Sequence, residues 1–242
     1  MKGGSNSILF ALACLTGVAQ CIAVANEDQR AAAPVRDAGV SSKDETFARA
    51  SAVNLPSHWR SLTEGNGLFA AIDGHGRIWT SVDGANWIGR DAKIPFALHS
   101  IAYGHRRFVA VGNEGALVTS EDGVVWKIRD AGTDERLRGV TWAGGMFVAV
   151  GYSGAIVTSR NGIRWKHRES GTGERLQAVT HGQGTFVAVG WNGTILTSID
   201  GVHWSKQSSG TAARLHAVTF TNNVFVVFGT CGTALRSVDV KP

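Results

Sequence analysis

The stretch FVAVGYSGAIVTSRNGIRW runs from Phe147 to Trp165, and FVAVGWNGTILTSIDGVHW follows from Phe186 to Trp204. The two lie 39 residues apart, and the same spacing links Phe69, Phe108, Phe147, Phe186 and Phe225. Ten residues before each Phe stands Trp59, Leu98, Leu137, Leu176 or Leu215. Twelve residues after it stands Ser81, Ser120, Ser159, Ser198 or Ser237. Five copies without an insertion or deletion define a repeat architecture, in which each unit buries its apolar face against its neighbours.

Each copy reads as four short strands. LxxVT opens it, and FVAVG follows with the two-residue alternation of a pleated strand. The third strand ends in Thr-Ser, and the fourth begins at Trp87, Trp126, Trp165 or Trp204. Gly and Asn punctuate the runs of Val, Ile, Thr and aromatics. Beyond the first 25 residues no segment carries a 3.6-residue period. A four-stranded unit of about 40 residues, repeated, is the pattern of an all-β β-propeller. Five blades are expected, with repeats beginning near residues 59, 98, 137, 176 and 215.

The third and fourth strands meet at TSVDGANW, TSEDGVVW, TSRNGIRW and TSIDGVHW. Asp or Asn before Gly is hairpin chemistry: the side-chain oxygen accepts turn N–H groups and Gly takes positive φ. Asp83, Asp122, Asn161 and Asp200 therefore read as turn residues, because their role repeats with the turn and Asn161 cannot serve as an acid. The Trp that follows each turn is expected to pack between neighbouring blades. These turns resemble the Asp-box of bacterial-neuraminidase-type repeats, seen in sialidase-like propellers and in the photosystem II assembly factor family. The resemblance covers about Trp59 to Asp239 and departs in one respect, since the usual box separates Asp and Gly by one residue. It implies the propeller fold. Such repeats serve glycosidases, assembly factors and proteins without activity, so the fold alone does not assign a function.

The first 25 residues carry one charge, Lys2, then an apolar run from Ile8 that ends in Ala23-Val24-Ala25. A basic head, an apolar middle and an A-x-A exit describe a secretory signal cleaved after Ala25, so a secreted or periplasmic protein with no lasting membrane span is expected. Retention of this run as an anchor is the alternative. Cys14 and Cys21 fall inside it, and the remaining chain keeps only Cys231, which excludes an internal disulfide framework. Residues 26–45 read as a linker. The last copy stops at RSVDVKP without a Trp strand, and a bare sheet edge is a liability. Thr46 to Ala50 are expected to supply its missing fourth strand and close the ring; an open solenoid or a ring made by two chains is the alternative.

Positions that change between copies are where a site can sit. GTDERL, GTGERL and GTAARL place Arg136, Arg175 and Arg214 identically before the innermost strand, where the first two copies carry His58 and Ala97. The turns between strands two and three share that face and carry Asn113-Glu114, Tyr152-Ser153, Trp191-Asn192 and Thr230-Cys231. Three guanidiniums suit a carboxylate or sulfate, and the faces of Tyr152 and Trp191 suit a sugar ring or a peptide side chain. The plainer reading pairs each Arg with Asp134, Glu135 or Glu174, or leaves it in solvent. On the opposite face Glu64, Tyr103, Trp142, His181 and Phe220 share one position, as a partner surface or as packing between blades.

Two function classes follow. A binding propeller would take an anionic protein, peptide or glycan on the arginine face. A sialidase-like hydrolase would need an arginine triad, a Tyr nucleophile such as Tyr152 and a nearby acid such as Glu114. The identical placement of the three Arg argues for duplication, and no acidic pair is spaced for catalysis, so binding is favoured; a structural envelope role is the third reading. The charge beyond the signal, 23 basic residues against 19 acidic ones, is too mild and scattered for nucleic acid. His75, His99, His105, His167, His181, His203 and His216 show no ligand spacing, and no nucleotide fingerprint occurs, so no metal or cofactor is expected.

Overall fold

The computed structural model describes residues 56 and 58–237. The expected signal segment, the expected linker and the expected closing strand at 46–50 lie outside the described residues. Five antiparallel meanders form five sheets. The first holds β1 (Trp59–Gly65), β2 (Leu68–Asp73), β3 (Ile78–Ser81) and β4 (Ile88–Arg90). The second holds β5 (Leu98–Gly104), β6 (Arg107–Gly112), β7 (Leu117–Ser120) and β8 (Lys127–Ile128). The third holds β9 (Leu137–Ala143), β10 (Met146–Gly151), β11 (Ile156–Ser159) and β12 (Lys166–Arg168). The fourth holds β13 (Leu176–Gly182), β14 (Thr185–Gly190), β15 (Ile195–Ser198) and β16 (Ser205–Gln207). The fifth has β17 (Leu215–Thr221), β18 (Val224–Gly229) and β19 (Ala234–Arg236), and no fourth strand among the described residues.

The repeated residues are the ones that hold neighbouring sheets together. Four apolar clusters fill the four interfaces between successive sheets. In the second interface Val109, Val111 and Leu117 of one sheet meet Leu137, Phe147, Ala149 and Val157 of the next. Phe108 and Phe147 have no exposed surface, and burying such a ring contributes about 1.5–3 kcal/mol. Backbone amides also cross the interface: Ile101 N–H donates to Ser61 Oγ at 3.1 Å, and Val140 N–H to Ser100 Oγ at 3.2 Å. Three of the four Trp that follow the turns sit where expected, whereas Trp87 lies with its ring centroid 5.0 Å from Trp59 of its own sheet. Trp126, Trp165 and Trp204 pack on the core shared with the preceding sheet.

The alternation along β18 shows where the series stops. Ile72, Val111, Val150 and Val189 are 0 % exposed, whereas Phe228 at the same repeat position is 38 % exposed. The flank of the fifth sheet that would meet a next blade is thus partly uncovered by the described residues.

At the shared position on the opposite face Glu64 is exposed, and the other four side chains are packing. Tyr103, Trp142, His181 and Phe220 lie with ring centroids 4.5–4.8 Å from Phe108, Phe147, Phe186 and Phe225 of their own sheets. Each reaches toward the sheet before it. Trp142 lies so close over Gly104 that a Cβ there would overlap its ring, which explains the glycine.

Candidate functional site: an arginine–aromatic rim

Backbone hydrogen bonds build the rim before any side chain is considered. Tyr152 N–H donates to Arg136 O at 2.9 Å, which ties the turn after β10 to the loop entering β9. Gly154 N–H donates to Glu174 O at 2.8 Å and ties the same turn to the loop entering β13. Trp191 and Gly193 repeat the pattern with Arg175 O and Ala213 O. Gly154, at φ 69°, approaches Thr172 O so closely that no side chain fits. Each turn is therefore pinned between the arginine loop of its own sheet and that of the next.

The side chains interleave as a consequence. The guanidinium carbon of Arg136 lies 5.0 Å from the centroid of Tyr152, and that of Arg175 lies 4.5 Å from the same ring. Arg175 is also 4.3 Å from the Trp191 ring, which it shares with Arg214 at 4.3 Å. The five residues singled out in the sequence thus form one ladder: Arg136, Tyr152, Arg175, Trp191, Arg214. Arg136 Nη1 also reaches Tyr152 Oη at 3.4 Å.

Two expectations change. The plainer pairing with local acids is not what the rim does. Among the described residues no carboxylate lies within ion-pair distance of Arg136, Arg175 or Arg214, and Glu174 instead accepts from Asn192 Nδ2 at 2.9 Å. Nor are the aromatic faces open to a sugar, because Tyr152 and Trp191 each have two guanidiniums stacked against them. A stacked guanidinium keeps its in-plane N–H donors free, and those suit a carboxylate fork. Beside the ladder lies an open depression of about 540 Å³ lined by Glu114, Thr133, Asp134, Glu135, Arg136 and Tyr152.

The first sheet occupies the same rim differently. Its buried Asp73 accepts from His75 N–H, Arg77 N–H, Arg77 Nε and Trp79 Nε1 at 2.8–3.1 Å. Burial pushes this carboxyl up, but the hydrogen bonds from Arg77, Trp79 and His75 outweigh it and leave it below the usual range.

On the other rim the Asp-Gly turns hold themselves. Asp122 Oδ1 accepts from Val124 N–H and Val125 N–H at 2.8 and 2.9 Å and from Ser120 Oγ at 2.9 Å, while Ser120 Oγ accepts from Gly123 N–H. Asp83, Asn161 and Asp200 repeat this network. The backbone N–H groups hold Asp83, Asp122 and Asp200 below the ordinary carboxylate range. Trp87, Trp126, Trp165 and Trp204 donate Nε1–H to the turn glycine's carbonyl at 3.0–3.2 Å.

A further set escaped the sequence reading. Arg60, His99, Arg138, Gln177 and His216 each follow the first frame residue of a repeat. Their signal was available, since this position is polar in all five copies, but nothing in a two-residue alternation marks it as a bulge. His99 Nδ1 accepts from Arg60 Nη1 at 3.4 Å, so Nε2 carries the proton and donates to Asn113 Oδ1 at 2.6 Å. Burial lowers the His99 ring to about 4; the Asn113 bond opposes this, and the charges of Arg138, Arg60 and Arg136 add to it. Among the described residues no group of three His, Cys, Asp or Glu is placed to hold a metal, and no helix is long and apolar enough to cross a membrane.

With fold and rim described, the class is clear: the chain is a β-propeller. No family model and no curated protein matches its sequence. Solved structures match in fold. It is similar to YCF48 bound to a D1 peptide, with a TM-score of 0.58 at 18 % identity over 78 % of this chain and 67 % of that one. It is similar to an inactive virginiamycin B lyase from Staphylococcus aureus with quinupristin, with a TM-score of 0.66 at 15 % identity over 74 % and 66 %. A nidogen/laminin complex matches with a TM-score of 0.57 at 14 % identity over 71 % and 72 %. The chain thus spans about two thirds of the first two.

Proposed function

We propose that this chain is an exported, non-catalytic β-propeller that captures an acidic protein or peptide segment on the ladder of Arg136, Tyr152, Arg175, Trp191 and Arg214. One observation carries the reading. Three guanidiniums are fixed in a row by four aromatic stacks, with no carboxylate within ion-pair distance among the described residues. Stacking spends the ring faces on the arginines, which favours an anionic peptide over a glycan. Proteins of the same fold offer a precedent, in YCF48 with its D1 peptide and in the nidogen/laminin complex. The export half rests on the Ala23-Val24-Ala25 exit, and N-terminal sequencing of the secreted fraction tests it. Kinship with Asp-box propellers rests on the four Asp/Asn-Gly turns.

The test is binding of acidic peptides to the protein from Asn26 onward, across a salt series, beside an Arg136/Arg175/Arg214→Ala variant. Charge-assisted hydrogen bonds contribute about 1.5–3 kcal/mol each, so the folded variant is expected to lose at least about two orders of magnitude in affinity. Wild-type binding is expected to weaken steeply with salt. Equal binding by both proteins overturns the reading.

A further inference from the structure

All five inner strands break register at the same place. Pairing shifts between Trp59 and Ser61, between Leu98 and Ser100, between Leu176 and Ala178, and between Leu215 and Ala217; in the third sheet Leu137 and Gly139 pair with Gly151 and Val150. Each break leaves one unpaired residue, a β-bulge, and these residues are Arg60, His99, Arg138, Gln177 and His216. A bulge re-aims its side chain out of the normal alternation, and bulges recur beside functional sites. Here the device is repeated in every sheet, and each time it presents a polar group.

The re-aimed side chains meet across sheet boundaries. Arg60 Nη1 reaches His99, 39 residues on, and Arg138 Nε donates to Gln177 Oε1 at 3.2 Å across the same spacing. His216 Nδ1 is buried without a hydrogen-bond partner among the described residues. Unsatisfied buried polar atoms are rare in folded proteins and call for an explanation. The five positions carry two guanidiniums and two imidazoles, and no acid.

We propose that three of these bulge residues, Arg60, His99 and Arg138, line a second anion site on the inner wall of the propeller and take one oxoanion between them. The chemistry recognised is that of a carboxylate, sulfate or phosphate group. Arg60 and Arg138 supply fixed charge and Gln177 orients Arg138. His99 is neutral with its Nδ1 accepting from Arg60, and it gains a proton more readily once an anion offsets the charges of Arg138, Arg60 and Arg136. The site does not depend on the ladder's function.

The experiment is nuclear magnetic resonance of the histidine rings in the full protein from Asn26 onward, titrated with sodium sulfate and, separately, sodium phosphate and sodium acetate at constant ionic strength in chloride. The His99 resonances, assigned with His99→Gln, are expected to shift saturably, and the His99 titration midpoint is expected to rise. The arm with the tightest saturation tells a tetrahedral anion from a carboxylate. Arg60→Gln and Arg138→Gln are each expected to weaken binding about tenfold or more, the loss of one charge-assisted contact. Arg175→Ala/Arg214→Ala removes ladder charges that are not among those acting on His99, and it is expected to keep the shifts while losing acidic-peptide binding. Absence of saturable shifts in the wild-type protein overturns the site, and that measurement needs no variant to fold. Shifts abolished by the ladder variant and untouched by Arg60→Gln overturn it as well.

Discussion

The first sheet and sheets three to five present opposite chemistry on one rim from one backbone frame. In the first sheet Asp73 is buried and its carboxylate takes Arg77, Trp79 and two backbone amides, so the turn satisfies itself. In sheets three to five the corresponding turn carries glycine at that position, and the arginines stack on rings with no carboxylate within ion-pair distance among the described residues. The contrast separates two uses of an arginine. Arg77 helps hold the fold, whereas Arg136, Arg175 and Arg214 are held by the fold and offered outward. Mutations should therefore move stability at one end of the rim and binding at the other.

The largest effect is expected at Asp73. Asp73→Ala leaves Trp79 Nε1 and the backbone amides of His75 and Arg77 without this acceptor, at about 1–3 kcal/mol for each group that water cannot reach. A loss of about 3 kcal/mol in a urea unfolding curve is expected, with no change in acidic-peptide affinity. Loss of peptide binding at unchanged stability would erase the distinction between the two ends of the rim.

The next effect concerns the flank of the fifth sheet. Deleting residues 26–50 is expected to lower stability by about 1–2 kcal/mol more than deleting 26–45, the scale of covering a Phe ring such as Phe228. Equal midpoints for the two truncations would remove 46–50 as the closing strand and leave that edge to another partner.

Trp191→Ala is expected to cost less stability still. It removes two stacks at a half-exposed ring, worth about 0.5–1 kcal/mol each at such sites. Its effect on acidic-peptide binding should exceed its effect on stability, because Arg175 and Arg214 lose the surface that orients them while keeping their charge. Comparing it with the triple arginine variant separates orientation from charge.

These contrasts also show what the sequence makes legible. Phe147 and Leu137 sit in equivalent interfaces in every repeat, so selection for one packing geometry left a readable frame. The Asp-Gly turns were legible because the whole network lies within a few residues. The five ladder residues were visible as positions, but the stacking was not. It joins Tyr152 to Arg175 across a sheet boundary and depends on how two loops are rotated against each other. The inner wall was hidden for a different reason. A bulge adds one residue, shifts the alternation, and re-aims a position such as His99 that a regular strand would present elsewhere. The alternatives for Tyr103, Trp142, His181 and Phe220 needed the close approach of Trp142 to Gly104, which no single repeat contains.

The smallest effect is expected on the other rim, at Asp122, where the sequence supplies its own control. Asn161 makes the same turn contacts with an amide oxygen, so Asp122→Asn should leave the turn intact and change stability by under about 0.5 kcal/mol at neutral pH. The two proteins should part on acidification. The folded Asp122 carboxyl lies below its unfolded value, which for Asp is about 3.9. Its contribution is complete above that value and is lost as pH falls through the folded one, because the unfolded chain binds the proton first. The amide that replaces the carboxyl takes up no proton in this range, so the variant should lose stability less steeply than the parent below about pH 4. Parallel acid-unfolding curves would mean that the Asp122 charge contributes nothing beyond what the Asn161 amide already provides.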